Sequence, residues 1–463
     1  MNALPRPADI ETLRPADAPP ASTRSAAGAL LTDDSLALTF ARAHALELRY
    51  VAFWSQWLRW DGAVWRPDST LRVFDEVRRL LRAEAARLPP KKRALVPSLT
   101  SAARVTAIEK LARCDRRLAA TVDQWDRDPW LLNTPGGVID LRSGRMHKAC
   151  PKDYLTKLTA AAPSRSVECP LWLAFLDRTF AGNRQVIEFV QRHSGYALTG
   201  NTSEHVFAFF FGSGANGKSV FVSTLAGCLA DYAQAAPAET FMASKGERHP
   251  VELADLRGAR LVHATEVDRN RRWNEARIKM LTGGDTVRAR FMRQDPFSFV
   301  PQMKLIISGN HRPRFDSVDE ATRRRILLVP FLVTIPKAER DSHLTTKLQR
   351  EWPGILRWCI EGCLEWQRGG LQPPPAVTEA TEDYISEQDH AAEWLAANYQ
   401  PDPDGFELNA NLFASWEEWA RERELSIGTQ LSLGDAILGH GFERHRTNTG
   451  RGFRGLRRKP EGA

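Results

Sequence analysis

The chain has 463 residues, 43% of them hydrophobic, which is enough for two to four domains with real cores and excludes a peptide-like or wholly disordered protein. A net charge of +8 favours a polyanionic partner no more than it favours a merely solvated basic surface, so the placement of the charge has to decide. The six cysteines form no C-x-x-C pair, no apolar run approaches the length of a membrane span, and the start lacks a signal-peptide core, so a reducing compartment and no membrane partner are expected.

In chain order, residues 1–31 mix Pro, Ala, Ser and charge without periodicity and read as a disordered leader. Residues 32–162 alternate helical patterns such as VFDEVRRLLRAEAARL with short strands, and Trp60-Asp61-Gly62-Ala63-Val64-Trp65 reads as a hairpin turning at Asp-Gly, so an α+β module is expected. Residues 163–205 contain a short connector and two helices forming a helical linker. From 206 to 340 strands and helices alternate as in an α/β parallel sheet. A helical extension and a Pro linker occupy 341–375, with Cys359 and Cys363 as core positions. Residues 376–463 read as a separate small unit.

The run Val206 to Phe211 is short, aromatic-rich and bounded by glycine, as a fully buried parallel strand would be. It feeds Gly212-Ser213-Gly214-Ala215-Asn216-Gly217-Lys218-Ser219, which fits G-x-x-x-x-G-K-[ST], and a helix follows over Val220 to Leu229. Glycines let successive N–H groups and the helix N-terminus point at phosphate oxygens, with Lys218 reaching the β and γ phosphates and Ser219 the Mg²⁺. A nucleoside triphosphate is the expected ligand of Gly212 through Ser219; a glycine-rich turn before an ordinary helix is the alternative.

Hydrolysis needs an acid beside that loop at the end of a neighbouring strand. Arg260 to Glu266 offers such a strand, with Glu266 to activate water and Asp268 as a second choice; a surface glutamate after a strand is the bland reading. A second strand, Met303 to Gly309, ends in Asn310, whose amide can bond the γ-phosphate or its water, or simply serve a turn. Arg323, Arg324 and Arg325 stand directly before the apolar run Ile326 to Phe331, either facing an anion or forming a plain surface cluster.

Taken in this order, the loop, the acidic strand end, IKMLTGGDTVRARFMRQDPFSFVPQMKLIISGNHRPRF and RRRILLVPF resemble the superfamily 3 helicase core of phage and plasmid primase-helicases. The upstream YVAFWSQWLRWDGAVW, DPWLLNTPGGVIDLRSGRMHK and FLDRTFAGNRQVIEFVQRHSGYALTG resemble that family's poxvirus-type N-terminal module, so the likeness covers about residues 32–340. It implies an α/β P-loop AAA+ core, a homo-hexameric ring, and ATP-driven translocation on single-stranded DNA in phage or plasmid replication within a bacterial host cytoplasm. It also implies roles: Lys218 and Ser219 on Walker A, Glu266 on the acidic Walker B position, Asn310 on sensor 1, and Arg324 or Arg325 as the inter-subunit arginine finger. The chain departs from the family where Thr265-Glu266-Val267 replaces a doubled acid, which leaves metal and water roles both to Glu266 with Asp268 or Ser219 assisting. It departs again at Arg323, where a tryptophan is frequent.

The resemblance further implies a hairpin pointing into the ring channel, here Val287 to Val300. Arg293 is the first candidate to touch DNA phosphates, then Arg290 and Lys279, unless the arginines pair with Asp285 or Asp295. Phe297 and Phe299 read as core. In the tail, two helices followed by the basic hairpin FERHRTNTGRGFRGLRRK suggest a winged-helix DNA-binding domain using Arg444, Arg446, Arg451, Arg454, Arg457 and Arg458, or else a solvated charge run. A separate primase or polymerase is a further candidate partner, and a polymerising primase domain is not expected before residue 32. Two rivals stand beside the helicase: a P-loop kinase acting on a small molecule, and a replication initiator or loader in which ATP sets assembly.

Overall fold

A computed structural model describes residues 31–243, 251–265, 271–291, 295–315, 320–387, 390–423, 425, 427–448 and 450–460. The chain divides into two compact units, one from residues 1–57 and 68–120, the other from 58–67 and 121–463.

The first unit packs helices Asp33–Ala43, Arg72–Ala86 and Ala102–Ala112 around Leu36, Phe40, Val77, Leu81 and Ile108. Val73, Val77 and Leu81 recur every four residues, so one stripe of the Arg72–Ala86 helix is buried and the rest faces water. Asp68 starts this helix by accepting from the N–H groups of Arg72 and Val73 at 3.1 and 3.0 Å.

In the second unit, Trp60 pairs with Trp65 across the expected hairpin, and Asp61 caps its turn through the N–H groups of Ala63 and Val64, both at 2.9 Å. The region read as one module over residues 32–162 is therefore divided. Leu132, Ile139 and Leu141 join the core that contains Trp172 and Phe210, because the strands Leu131–Thr134 and Gly137–Asp140 carry more apolar side chains than they can bury alone.

The centre of this unit is a parallel sheet. Its elements are α1 (Pro170–Thr179), α2 (Arg184–Ala197), β1 (Phe207–Phe211), α3 (Lys218–Leu229), β2 (Ala233–Ala235), β3 (Leu261–Ala264) and α4 (Glu275–Thr282). There follow the hairpin β4 (Val287–Ala289) and β5 (Phe297–Phe299), then β6 (Lys304–Gly309), β7 (Ile326–Pro330), α5 (Trp352–Gly369) and α6 (Pro375–Ser386). The five-stranded order is β7-β1-β6-β3-β2, every pair parallel. Both faces are covered: Ala208, Phe210, Ile306 and Val329 point into one core, and Phe207, Phe209, Leu305, Ile307 and Leu328 into the other. That two-sided burial is why these strands read as continuous apolar runs.

At the strand starts, two buried cations tie the turn after α2 to the sheet. Arg260 donates to the carbonyls of Leu198 and Leu131 at 2.7 and 2.8 Å, and Lys304 to those of Thr199, Asn201 and Gln302. Carbonyls beyond a helix C-terminus suit a cation, yet burial still drives Lys304 well below the ordinary lysine range.

The helix after the proline run belongs to the core rather than to a separate tail. Thr381 of α6 accepts from the Leu328 N–H of β7 at 2.9 Å, and Tyr384 is fully buried, receiving the Trp273 indole N–H at 2.7 Å. The prolines preset α6, whose first residue is Pro375. Beyond it lie α7 (His390–Asn398), β8 (Tyr399–Leu408), α8 (Asn409–Glu422), α9 (Gln430–Gly439), β9 (Glu443–Thr447) and β10 (Gly450–Arg458). The two helices and the basic hairpin are where the sequence places them. Helix α7 and strand β8 were not foreseen; β8 makes the sheet three-stranded, order β8-β10-β9, over a core of Trp394, Leu412, Trp416 and Phe453.

Candidate nucleotide and nucleic-acid sites

Strand β1 delivers the glycine loop and α3 receives it. Gly214, Ala215 and Gly217 have φ of 103°, 51° and 88°, the left-handed backbone that a tight wrap of the loop requires. A Cβ at Gly212 would lie 2.2 Å from the Asn216 amide nitrogen and 2.3 Å from the Phe331 carbonyl, so only glycine closes the loop onto the end of β7. Asn216 fixes that closure by donating to the Phe331 carbonyl at 3.0 Å.

Lys218 opens α3 and is buried. Its ammonium donates to the Gly212 carbonyl at 2.8 Å, to Asn216 Oδ1 at 3.0 Å and to Asn310 Oδ1 at 3.1 Å. These partners are neutral oxygens, and burial pushes the ammonium down to about 8. Asn310 follows β6, which lies beside β1 in parallel, with Gly309 level with Phe211. Two residues 92 apart in sequence thus meet at the strand ends. Ser219 is exposed in the first turn of α3.

Strand β3 runs beside β6, with Ala264 opposite Ile307, so its end leads toward the same side as the loop. Glu266 and Asp268 lie outside the described residues. Sequence reasoning passed over Arg312, just past Asn310. Its guanidinium lies 4.5 Å over the Phe211 ring and donates to Glu387 at 2.7 Å, joining the sensor strand, the loop strand and the end of α6. The N-x-R spacing after an apolar strand was its signal in the sequence.

The arginine cluster is at the other end of the sheet. Arg325 accepts from the Phe207 N–H through its carbonyl at 2.7 Å, which sets it level with the start of β1, while the loop follows the end of that strand. Arg324 is 70% exposed, 3.7 Å from Glu320, and Arg325 donates to the Ala321 carbonyl at 2.8 Å.

The hairpin expected from Val287 to Val300 is present as β4 paired with β5, with Arg288 and Arg290 exposed. Arg293 lies outside the described residues. Phe297 stacks on Phe291 at 5.2 Å and Phe299 is buried, so both serve packing as expected. Lys279 is half-buried in the last turn of α4. In the tail, Arg444, Arg446, Arg451, Arg454, Arg457 and Arg458 are all exposed. Arg446 and Arg451 are direct cross-strand neighbours, a like-charge pairing that an anion would relieve. Arg457 pairs with Asp402 at 2.7 Å, and Arg454 donates to the Pro403 carbonyl at 3.2 Å.

Residues 37–181 match the family described as D5 N terminal like, and residues 210–325 match a family of unknown function, DUF5906. L207/L206 of Acanthamoeba polyphaga mimivirus, provisionally named a helicase, is 27% identical over 288 residues, 56% of this chain and 29% of that protein. Frog virus 3 (isolate Goorha) 022R, named in the same way, is 27% identical over 330 residues, 66% of this chain and 32% of its own. The likeness to the D5 N terminal like family is thus carried by residues 37–181. The chain spans about a third of the length of the curated relatives it matches. The apo structure of the NrS-1 C-terminal region covers 92% of it, over 99% of that region, with a TM-score of 0.50 at 10% identity, a likeness of fold alone. No helix among the described residues is long and apolar enough to cross a membrane.

Proposed function

We propose that this chain is an ATP-dependent DNA helicase of superfamily 3 that works as a homo-hexameric ring on single-stranded DNA in phage or plasmid replication. The observation that carries the reading is the 3.1 Å contact between Lys218 and Asn310 across the ends of β1 and β6. A buried ammonium facing neutral oxygens, beside a loop that only glycine can close, fits a triphosphate. Lys218 neutralises the phosphates, Asn310 bonds the γ-phosphate or its water, and Ser219 with Glu266 would hold Mg²⁺. Mg²⁺ would neutralise charge on the phosphates when bound. Placing the Asn310 strand between the loop strand and the Glu266 strand supports the AAA+ assignment. The helicase names of the viral relatives support the activity.

DNA contact is assigned to the β4–β5 hairpin, with Arg290, Arg293 and Lys279, and to the tail, with Arg446, Arg451 and Arg454. The tail's order of helix, strand, two helices and two strands supports a winged-helix domain.

The test is ATPase rate with and without single-stranded DNA, followed by strand displacement on a forked duplex. DNA should stimulate the wild-type rate, and Lys218→Ala should lower it at least ~100-fold. A monomer without DNA stimulation overturns the motor; stimulation without displacement favours an initiator or loader.

A further inference from the structure

The surplus of positive charge is not spread along the chain. The unit formed by residues 1–57 and 68–120 holds 18 Lys and Arg against 12 Asp and Glu, a surplus of six in a chain of +8. Within that unit it is concentrated again. Between Arg72 and Arg93 there are eight cations, Arg72, Arg78, Arg79, Arg82, Arg87, Lys91, Lys92 and Arg93, and three carboxylates, Asp75, Glu76 and Glu84.

All eight cations are exposed. The helix Arg72–Ala86 buries Val73, Val77 and Leu81, which leaves Arg78, Arg79 and Arg82 on the opposite side of the cylinder. The chain then turns through Pro89 and Pro90 into the short 3₁₀ segment Pro90–Leu95, carrying Lys91, Lys92 and Arg93. The three carboxylates are already engaged: Asp75 and Glu76 with Arg79 at 3.0 and 3.4 Å, and Glu84 with Arg87 at 2.6 Å. No carboxylate among the described residues lies within ion-pairing distance of Arg82, Lys91, Lys92 or Arg93.

We propose that this face of the first unit, Arg78, Arg79, Arg82, Lys91, Lys92 and Arg93, binds the phosphate backbone of duplex DNA without reading sequence. Between Arg72 and Leu95 the cations stand on a helix and a 3₁₀ segment whose one aromatic ring, Phe74, is half-buried, so a single strand finds no exposed ring on this stretch on which to stack its bases; Phe53 is exposed elsewhere in the unit. Duplex DNA presents phosphates at higher linear charge density, and releases more counterions per contact, than a single strand does. The proposal does not rest on the ATPase reading.

The experiment uses the full chain with Arg82, Lys91, Lys92 and Arg93 all changed to Gln, and a fluorescent 30-base-pair duplex or single strand as probe. Four lost contacts should reduce the slope of log affinity against log salt for duplex by about 3 to 4, with a smaller change for the single strand. Because the four side chains have no ion-pair partner among the described residues, melting temperature and ATPase rate without DNA should match wild type. An unchanged duplex slope, or a loss confined to the single strand, overturns the proposal. Loss of ATPase in Lys218→Ala with the duplex slope intact separates a failure of this surface from a failure of the motor.

Discussion

Lys218 is a cation surrounded by neutral oxygens, and its burial has a consequence in pH. In the free protein the ammonium is held down to about 8 from an ordinary 10.5 by loss of solvent. Below that value it is already charged, so triphosphate affinity owes no pH dependence to it. Above it, binding must first take up a proton, and the dissociation constant rises up to about tenfold per pH unit. Proton uptake beyond the nucleotide's own ionisation should climb from a minor fraction at pH 7 to about one per site at pH 9. Titration calorimetry in buffers of different ionisation enthalpy measures this, and a flat uptake would contradict it. For folding the sign is set by the same shift: the unfolded chain holds more protons between pH 8 and 10.5, so this residue makes the ligand-free protein more stable as pH rises through that window. The loop and the place of Lys218 at the start of its helix were legible in sequence, because loop spacing is local. Its bond to Asn310 was not, since parallel pairing brings together residues that spacing cannot relate.

Helices α2 and α5 were also legible as helices, but their mutual fit was not. A Cβ at Gly195 would stand 2.0 Å from the Cys363 nitrogen and 2.6 Å from the Cys359 carbonyl, and one at Gly362 would stand 2.2 Å from the Gln191 carbonyl. The two backbones touch at paired glycines, which periodicity cannot announce because glycine has no side chain to pattern. Ordinarily Gly→Ala within a helix stabilises by reducing backbone freedom. Here the clash is with backbone atoms that cannot swing away. Gly362→Ala should therefore destabilise by about 1–3 kcal/mol or more, against the propensity, and urea unfolding would read it as a lower midpoint. An unchanged or higher midpoint would mean the helices can separate at little cost. Helix α6 was misplaced for a related reason: the proline run marks a stop in local structure, whereas the bonds of Thr381 and Tyr384 that hold α6 to the sheet are long-range.

At the scale of the whole molecule, the separation between the arginine cluster and the loop decides how many chains make one active site. Arg325 is level with Phe207 and the loop begins after Phe211, so about 13 Å of strand lies between them. A guanidinium at that end cannot serve the nucleotide of its own chain. If Arg324 and Arg325 act on hydrolysis at all, they act on a neighbour's γ-phosphate, and the ring is a requirement of the chemistry rather than an accessory. Complementation tests this directly. A Lys218→Ala chain keeps its arginines, and an Arg324→Ala, Arg325→Ala chain keeps its loop; each alone should lose ATPase activity. Mixed in equal amounts, random rings place an intact loop against intact arginines at about a quarter of interfaces, so activity should recover toward about that fraction of wild type. Mixed rings that assemble by light scattering but stay inactive would refute the shared site. So would full activity in the doubly substituted chain alone, which would return the arginine cluster to a solvated edge of the sheet.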